Sequence, residues 1–400
     1  MTHYLEELRS GWRPLAAAVI GLSGGMVIIA YVFGIFAPYL IAEFGWSKSQ
    51  FALVGLLASS AIFLLPLVGR LTDMIGVRKS ASIGVLACPA IFLGFATIDS
   101  LLGYAVIYAL QASVLVTTTN PVYCRLVVQH FERARGLALG ITAAGPAVTI
   151  AVGGPLLNNL VADHGWRSGC DAMAIFTGLM GCAALLLMPP RKDEAATLRP
   201  KMHARQDYGW IFRRPAFWII IAAILLCNLP QPVMMTQLTL VLSENGVSGK
   251  DASVMISAYA GGMLIGRLLS GVALDRFPAP LVATASMILS GIGLLALASG
   301  YDAPAAILVA VLLFGLSTGA EGDVIAYLVV QNFGVRIYSS VYGMIASVVA
   351  ITAVIGTLFL SVMLKLYELY QPFLLLTGIL ILVGSVFFLL LPRDPVAEEV

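Results

Sequence analysis

Long apolar stretches separated by short polar turns recur from one end of the chain to the other, each about the 20 residues a helix needs to cross a hydrocarbon core. They predict twelve spans, at 14–42, 49–72, 80–98, 101–128, 135–162 and 167–189, then 215–243, 251–274, 279–299, 303–330, 337–364 and 371–391. The ten-residue alternation of an outer-membrane barrel does not occur. The pattern therefore predicts an all-α integral membrane protein. Composition agrees: of 400 residues, 60% are hydrophobic and 11% charged, and the mean hydropathy is +0.94.

The longest polar stretch, Pro189 to Pro215, divides the spans six and six. It predicts an N-terminal bundle over 1–189, a central loop over 190–214 and a C-terminal bundle over 215–400. Seventeen Lys and Arg residues fall in the tails and in the loops on the N-terminal side, and four, Lys48, Arg167, Lys250 and Lys365, fall in the opposite loops. That bias places both termini in the cytoplasm of a cell whose inner membrane the chain crosses many times. The first apolar span is too long for a signal-peptide core and is expected to remain in the mature protein. The five cysteines, Cys88, Cys124, Cys170, Cys182 and Cys227, lack paired spacing and read as small apolar fillers.

Shifting the second half by 202 positions lays LVVQ at Leu328 over LVVQ at Leu126, and Gly271-x-x-x-Asp275 over Gly69-x-x-x-Asp73. One offset aligning signals near several spans marks an internal repeat of six helices. The stretch GRLTDMIGVRK, Gly69 to Lys79, resembles in full the loop signature G-x-L-x-D-x-x-G-x-R-K of the major facilitator superfamily. The resemblance implies two pseudo-symmetric six-helix bundles and a conformational gate formed by Gly69, Asp73, Gly76, Arg78 and Lys79, with Asp275 and Arg276 as the repeat counterpart. Physically, Gly69 permits close helix approach, Gly76 permits the turn, and Asp73 can accept from a helix N-terminus or pair with an Arg of the other bundle. Three further stretches, FGWSKSQ from Phe44, RARGLALG from Arg133 and GRLLSGVALDRF from Gly266, are similar to the monocarboxylate and oxalate/formate porters, which carry organic anions. Two departures stand out: the first span has no charge between Arg13 and Glu43, and Met263 occupies the place of an Asp four residues before Arg267.

Charges inside the spans supply the candidate chemistry. Arg267 lies eight residues before Asp275, about 12 Å into the membrane at 1.5 Å per residue, where an Arg is costly and needs a cavity or a partner. Its fork suits a carboxylate. Glu321 and Asp323 fall near the middle of the tenth span, roughly 200° apart around the helix. One is therefore expected to face a cavity and the other its neighbouring helices, and either could load a proton. Arg125 lies near the end of the fourth span and could snorkel to the surface. In the same span Pro121 is expected to free a carbonyl beside Asn120 and Tyr123. The seventh span is interrupted by Pro230 and Pro232, with Asn228 and Gln231 as candidate ligands. Tyr31 and Tyr259 complete the substrate-binding candidates.

These features point to secondary transport of a small organic anion, with protons as the coupled partner and the lipid bilayer as solvent. Anion exchange and proton-coupled drug or metabolite export remain alternatives, the second weakened because the fifth span lacks the GPxxGG pattern of drug–proton antiporters. The four histidines fall in or beside loops, so the spans offer no metal centre. No nucleophile or nucleotide-binding motif appears, so an enzyme is not expected. Neither a cofactor nor a nucleic-acid partner is implied, and a monomer is expected.

Overall fold

The computed structural model describes residues 2–46, 54, 57, 61–189, 204–247, 249–300 and 303–392. The expected start of the second span, Lys48, and most of the central loop lie outside the described residues. Among the described residues every regular element is a helix. In chain order these are α1 (Thr2–Ser10), α2 (Trp12–Ser23), α3 (Ile29–Phe44), α4 (Ala61–Ile75), α5 (Val77–Ala96), α6 (Leu101–Val114), α7 (Asn120–His130) and α8 (Arg135–Leu187). There follow α9 (Ala204–Arg213), α10 (Pro215–Cys227), α11 (Gln231–Glu244), α12 (Gly249–Leu274), α13 (Ala279–Ala298), α14 (Pro304–Phe333), α15 (Tyr338–Tyr367) and α16 (Gln371–Phe387).

Among the described residues, nine helices or helix runs are long and apolar enough to cross a membrane, or ten if the pair bent by 68° at Arg214 counts as one span. The difference from twelve has local causes. The fifth and sixth spans form one 53-residue run, α8, broken at Gly165, whose φ of 84° and ψ of 162° only glycine adopts without strain. The second span is described from Ala61 onward, and the seventh is two helices, α10 and α11, meeting at Asn228–Pro230. The end of the expected central loop is helical: Ala204–Arg213 buries Asp207 and Ile211 and exposes Phe212 and Arg213.

The chain forms two compact units. The first comprises Met1–Glu132, Ile141–Lys201 and Val335–Met344. The second comprises Arg133–Gly140, Met202–Gly334 and Ile345–Val400. The core of the first unit is aromatic, with Phe33 packed edge-on against Phe95 at 4.7 Å and against Phe36, Tyr104 and Tyr108. In the second unit α12 and α14 approach until backbone meets backbone. A Cβ added to Gly262 would sit 2.9 Å from the Leu312 carbonyl, and one added to Gly266, Gly315 or Gly319 would collide with the carbonyls of Leu316, Tyr259 or Met263. Two small residues four apart on each helix give this contact in lipid, where close packing replaces the hydrophobic drive. It fixes the separation of position 267 from positions 321 and 323.

Leucine at Gly266 is expected to force α12 and α14 apart and cost about 1–3 kcal/mol or more, read as a lower unfolding temperature in detergent. Leucine at the nearby Gly261, where an added Cβ meets nothing within 4 Å, should leave that temperature unchanged.

Candidate functional site

Two aspartates that the repeat superimposes do the same physical work, one in each unit. Asp73, at the end of α4, accepts hydrogen bonds from the backbone N–H groups of Ser339 at 3.1 Å and Ser340 at 2.7 Å, and from the Ser340 hydroxyl at 2.5 Å. Asp275, just after α12, accepts from the backbone N–H groups of Gly136 at 2.5 Å and Leu137 at 3.0 Å. Each carboxylate thus satisfies the orphan donors and positive dipole end of a helix drawn from the opposite half of the sequence. Glycine makes the approach possible, since a Cβ at Gly69 or Gly271 would strike the carbonyl of Ser339 or Gly136. Gly76, with φ of 86°, turns the chain from α4 into α5, and Arg78, Lys79 and Arg276 are exposed.

Arg125 does not snorkel. It is 1% exposed, forms a salt bridge with Asp73, and donates at 3.5 Å to the Arg336 carbonyl. Asp275 has Tyr327 and Arg135 nearby instead. The α6–α7 region also differs from its expected form. Rather than one helix with an internal proline, it passes through a 3-10 turn at Leu115–Thr118 and an extended Thr119, so Pro121 sits in the first turn of α7, where its missing N–H costs nothing. Asn120 heads that helix, and the buried Tyr123 ring packs on Gly21. Thr118 accepts from the Met26 N–H at 3.0 Å, joining this break to the one between α2 and α3.

The second unit holds six of the substrate-binding and proton-coupling candidates. Arg267 of α12 is the cationic group acting on Glu321, Asp323 and Tyr259. The two carboxylates diverge as their spacing requires. Asp323 is 3% exposed and packs toward α12 and the start of α8, where a Cβ on Gly140 would lie 3.5 Å from its Oδ2. Glu321 is half-buried and meets the side-chain amide of Asn228 at the break in the seventh span. That amide also donates to the Ile224 carbonyl at 3.2 Å. Tyr259 stacks on Phe314 at 6.0 Å, with its hydroxyl beside Thr318. Gln231 opens α11, its N–H bonded to the Asn228 carbonyl at 3.2 Å. A forked cation, two carboxylates, an amide and hydroxyls at this depth can bind an anion and balance its charge.

Both halves of the sequence match the family model described as Major Facilitator Superfamily, over residues 15–241 and 228–400. The chain belongs to the Major Facilitator Superfamily. Among curated proteins this facilitator is similar to monocarboxylate transporter 13 of Rattus norvegicus, at 25% identity over 98% of this chain and 92% of the relative. It is 26% identical to monocarboxylate transporter 11 of Mus musculus over 96% and 88%. Its fold resembles that of FucP, solved in the outward conformation, with a TM-score of 0.78 at 14% identity over 98% of this chain and all of that one. A bacterial homologue of ferroportin superposes with a TM-score of 0.70 at 16% identity, over 95% of this chain and 98% of that one. The chain is a multi-pass membrane transporter.

Tyr31 lies in the first unit, its hydroxyl against Gly154, and lines an apolar cavity of about 540 Å³ with Val148, Leu157, Met173 and Phe176. Several residues of consequence escaped the sequence reading. Ser339 and Ser340 carry no distinctive spacing, and Gly140 became visible only through its packing. Arg167, read as a loop charge, donates to Glu43 at 2.5 Å and lies 4.4 Å over the Trp166 ring, while Trp166 Nε1 donates to the same carboxylate at 2.5 Å.

Replacing Arg125 by Met is expected to destabilise the facilitator by about 3–5 kcal/mol, because it strands a buried carboxylate. The double variant Arg125→Met/Asp73→Asn should recover a large part of that loss in thermal unfolding.

Proposed function

We propose that this facilitator carries a small organic anion bearing a carboxylate, together with a proton, by alternating access across the cytoplasmic membrane, with both termini cytoplasmic. The observation that carries the reading is the grouping of Arg267 with Glu321 and Asp323 within the long apolar helices α12 and α14. An Arg there needs a counter-charge at every stage of the cycle. In the empty carrier one of the α14 carboxylates, Glu321 or Asp323, supplies it. The substrate carboxylate then takes the guanidinium fork in bidentate geometry, and the displaced carboxylate accepts a proton from water. The charge of the group is the same empty and loaded, so neither form crosses with an excess charge.

Asn228, Gln231 and Tyr259 supply neutral hydrogen-bonding groups around the anion. Arg125 serves the Asp73 clamp rather than the substrate. Release of Ser339 and Ser340 by Asp73, and of Gly136 and Leu137 by Asp275, is the local change that accompanies opening. The names of the curated relatives, monocarboxylate transporters, support the anion class.

In proteoliposomes, an imposed inward proton gradient is expected to drive accumulation of a carboxylate. Arg267→Ala should lower kcat/KM by at least about 100-fold, the value of one charge-assisted bidentate contact of roughly 3 kcal/mol. Arg267→Lys, which keeps the charge and loses the fork, should fall between. Uptake indifferent to the gradient, with Glu321→Gln and Asp323→Asn both transporting normally, would sink proton symport; accumulation that requires an anion on the opposite side would establish exchange.

A further inference from the structure

The two α14 carboxylates are not equivalent. Glu321 retains partial exposure and has an amide partner in Asn228. Asp323 is 3% exposed, and its Oδ2 has no hydrogen-bond partner among the described residues. The start of α8 crosses that oxygen with two glycines four residues apart. A Cβ on Gly140 would stand 2.7 Å from the Arg267 carbonyl and 3.5 Å from Asp323 Oδ2, and one on Gly136 would strike the Gly271 carbonyl and stand 2.8 Å from Asp275 Oδ1. The stripe Gly136-x-x-x-Gly140 is thus pressed onto α12, held at its first turn by the Asp275 clamp.

We infer that Asp323, rather than Glu321, is the carboxyl group that takes up and releases the coupled proton, and that the Gly136–Gly140 stripe is the seal that closes it from water; this rests on the proton-coupled reading above. A buried carboxyl oxygen without a donor is costly as an anion and far less so as an acid, whose hydroxyl needs one acceptor. Among the described residues the charged group acting on Asp323 is Arg267 of α12, while residues 136–140 of α8 bring none. Arg267 therefore sets the choice: when it faces Asp323 the carboxylate form holds, and when substrate engages it the proton from water stays on Asp323. Glu321, fixed by Asn228, is left to shape substrate affinity. Proton exchange then requires the α8 glycines to lift, which ties protonation to the release of Asp275.

Infrared pH-difference spectra of the purified full chain in nanodiscs read the group without any substrate. Wild type and Glu321→Gln are expected to show a buried protonated-carboxyl band that Asp323→Asn lacks and Asp323→Glu shifts. A band lost in Glu321→Gln and kept in Asp323→Asn would overturn the assignment. The seal is read from hydrogen–deuterium exchange of that band, expected to quicken at least about ten-fold in Gly140→Leu and to stay unchanged in Gly153→Leu, where an added Cβ meets nothing within 4 Å. Equal rates in the two variants would refute the seal. In transport with labelled benzoate and lactate as probes, Asp323→Asn should lose gradient-driven accumulation at least about ten-fold. Glu321→Gln should still respond to the gradient at higher KM, and the reverse pattern would overturn the inference. Failure of the wild type to carry either probe counts against the substrate reading alone, because the infrared assignment needs no substrate.

Discussion

A half-buried guanidinium, Arg267, set about 12 Å from Asp275 at the end of its helix, is the constraint around which the second unit is organised. Hydrocarbon gives this charge no counter-ion. The glycine contacts of α12 with α14 bring carboxylates to it from the neighbouring helix, and the break between α10 and α11 brings an amide. At the positions the repeat superimposes on 267, 321 and 323 the first unit has the uncharged Leu65, Thr119 and Pro121. Its one buried guanidinium among the described residues, Arg125, is committed to Asp73. The repeat has thus kept the clamps in both units and placed the balancing chemistry in one.

The clamps and the charged group are mechanically joined. Asp275, which ends the helix that carries Arg267, holds the first turn of α8, and the same turns of α8 lie on Asp323. A change in charge at Arg267 and a change in the hold on α8 therefore act on the same few residues. Coupling of this kind needs no long path, only one element with two arrangements that both events bias.

Much of this was legible in the sequence because charge in an apolar run is improbable without a purpose. The full GRLTDMIGVRK signature, the 202-residue repeat and the three charges at 267, 321 and 323 marked the family and the charged group. The roles of individual residues were less legible. Spacing alone put Glu321 and Asp323 on opposite faces but could not tell which face met α8, since that depends on neighbours far away in sequence. Arg125 looked able to snorkel because its depth was readable and its partner, 52 residues away, was not. Pro121 looked like a mid-helix proline because the break at Thr119 lies two residues earlier and carries no glycine. Ser339 and Ser340 act through their backbone, which leaves little trace in residue type.

The central claim is that Arg267 is the anion-binding charge and that its engagement is linked to protonation. Its most direct test is the thermal stabilisation of purified wild type by a panel of aliphatic and aromatic carboxylates, repeated at several pH values. At least one acid should stabilise wild type selectively, more strongly as pH falls toward neutrality from above, and the effect should vanish in Arg267→Ala. Stabilisation that persists in Arg267→Ala, or that no carboxylate produces in wild type, would contradict it.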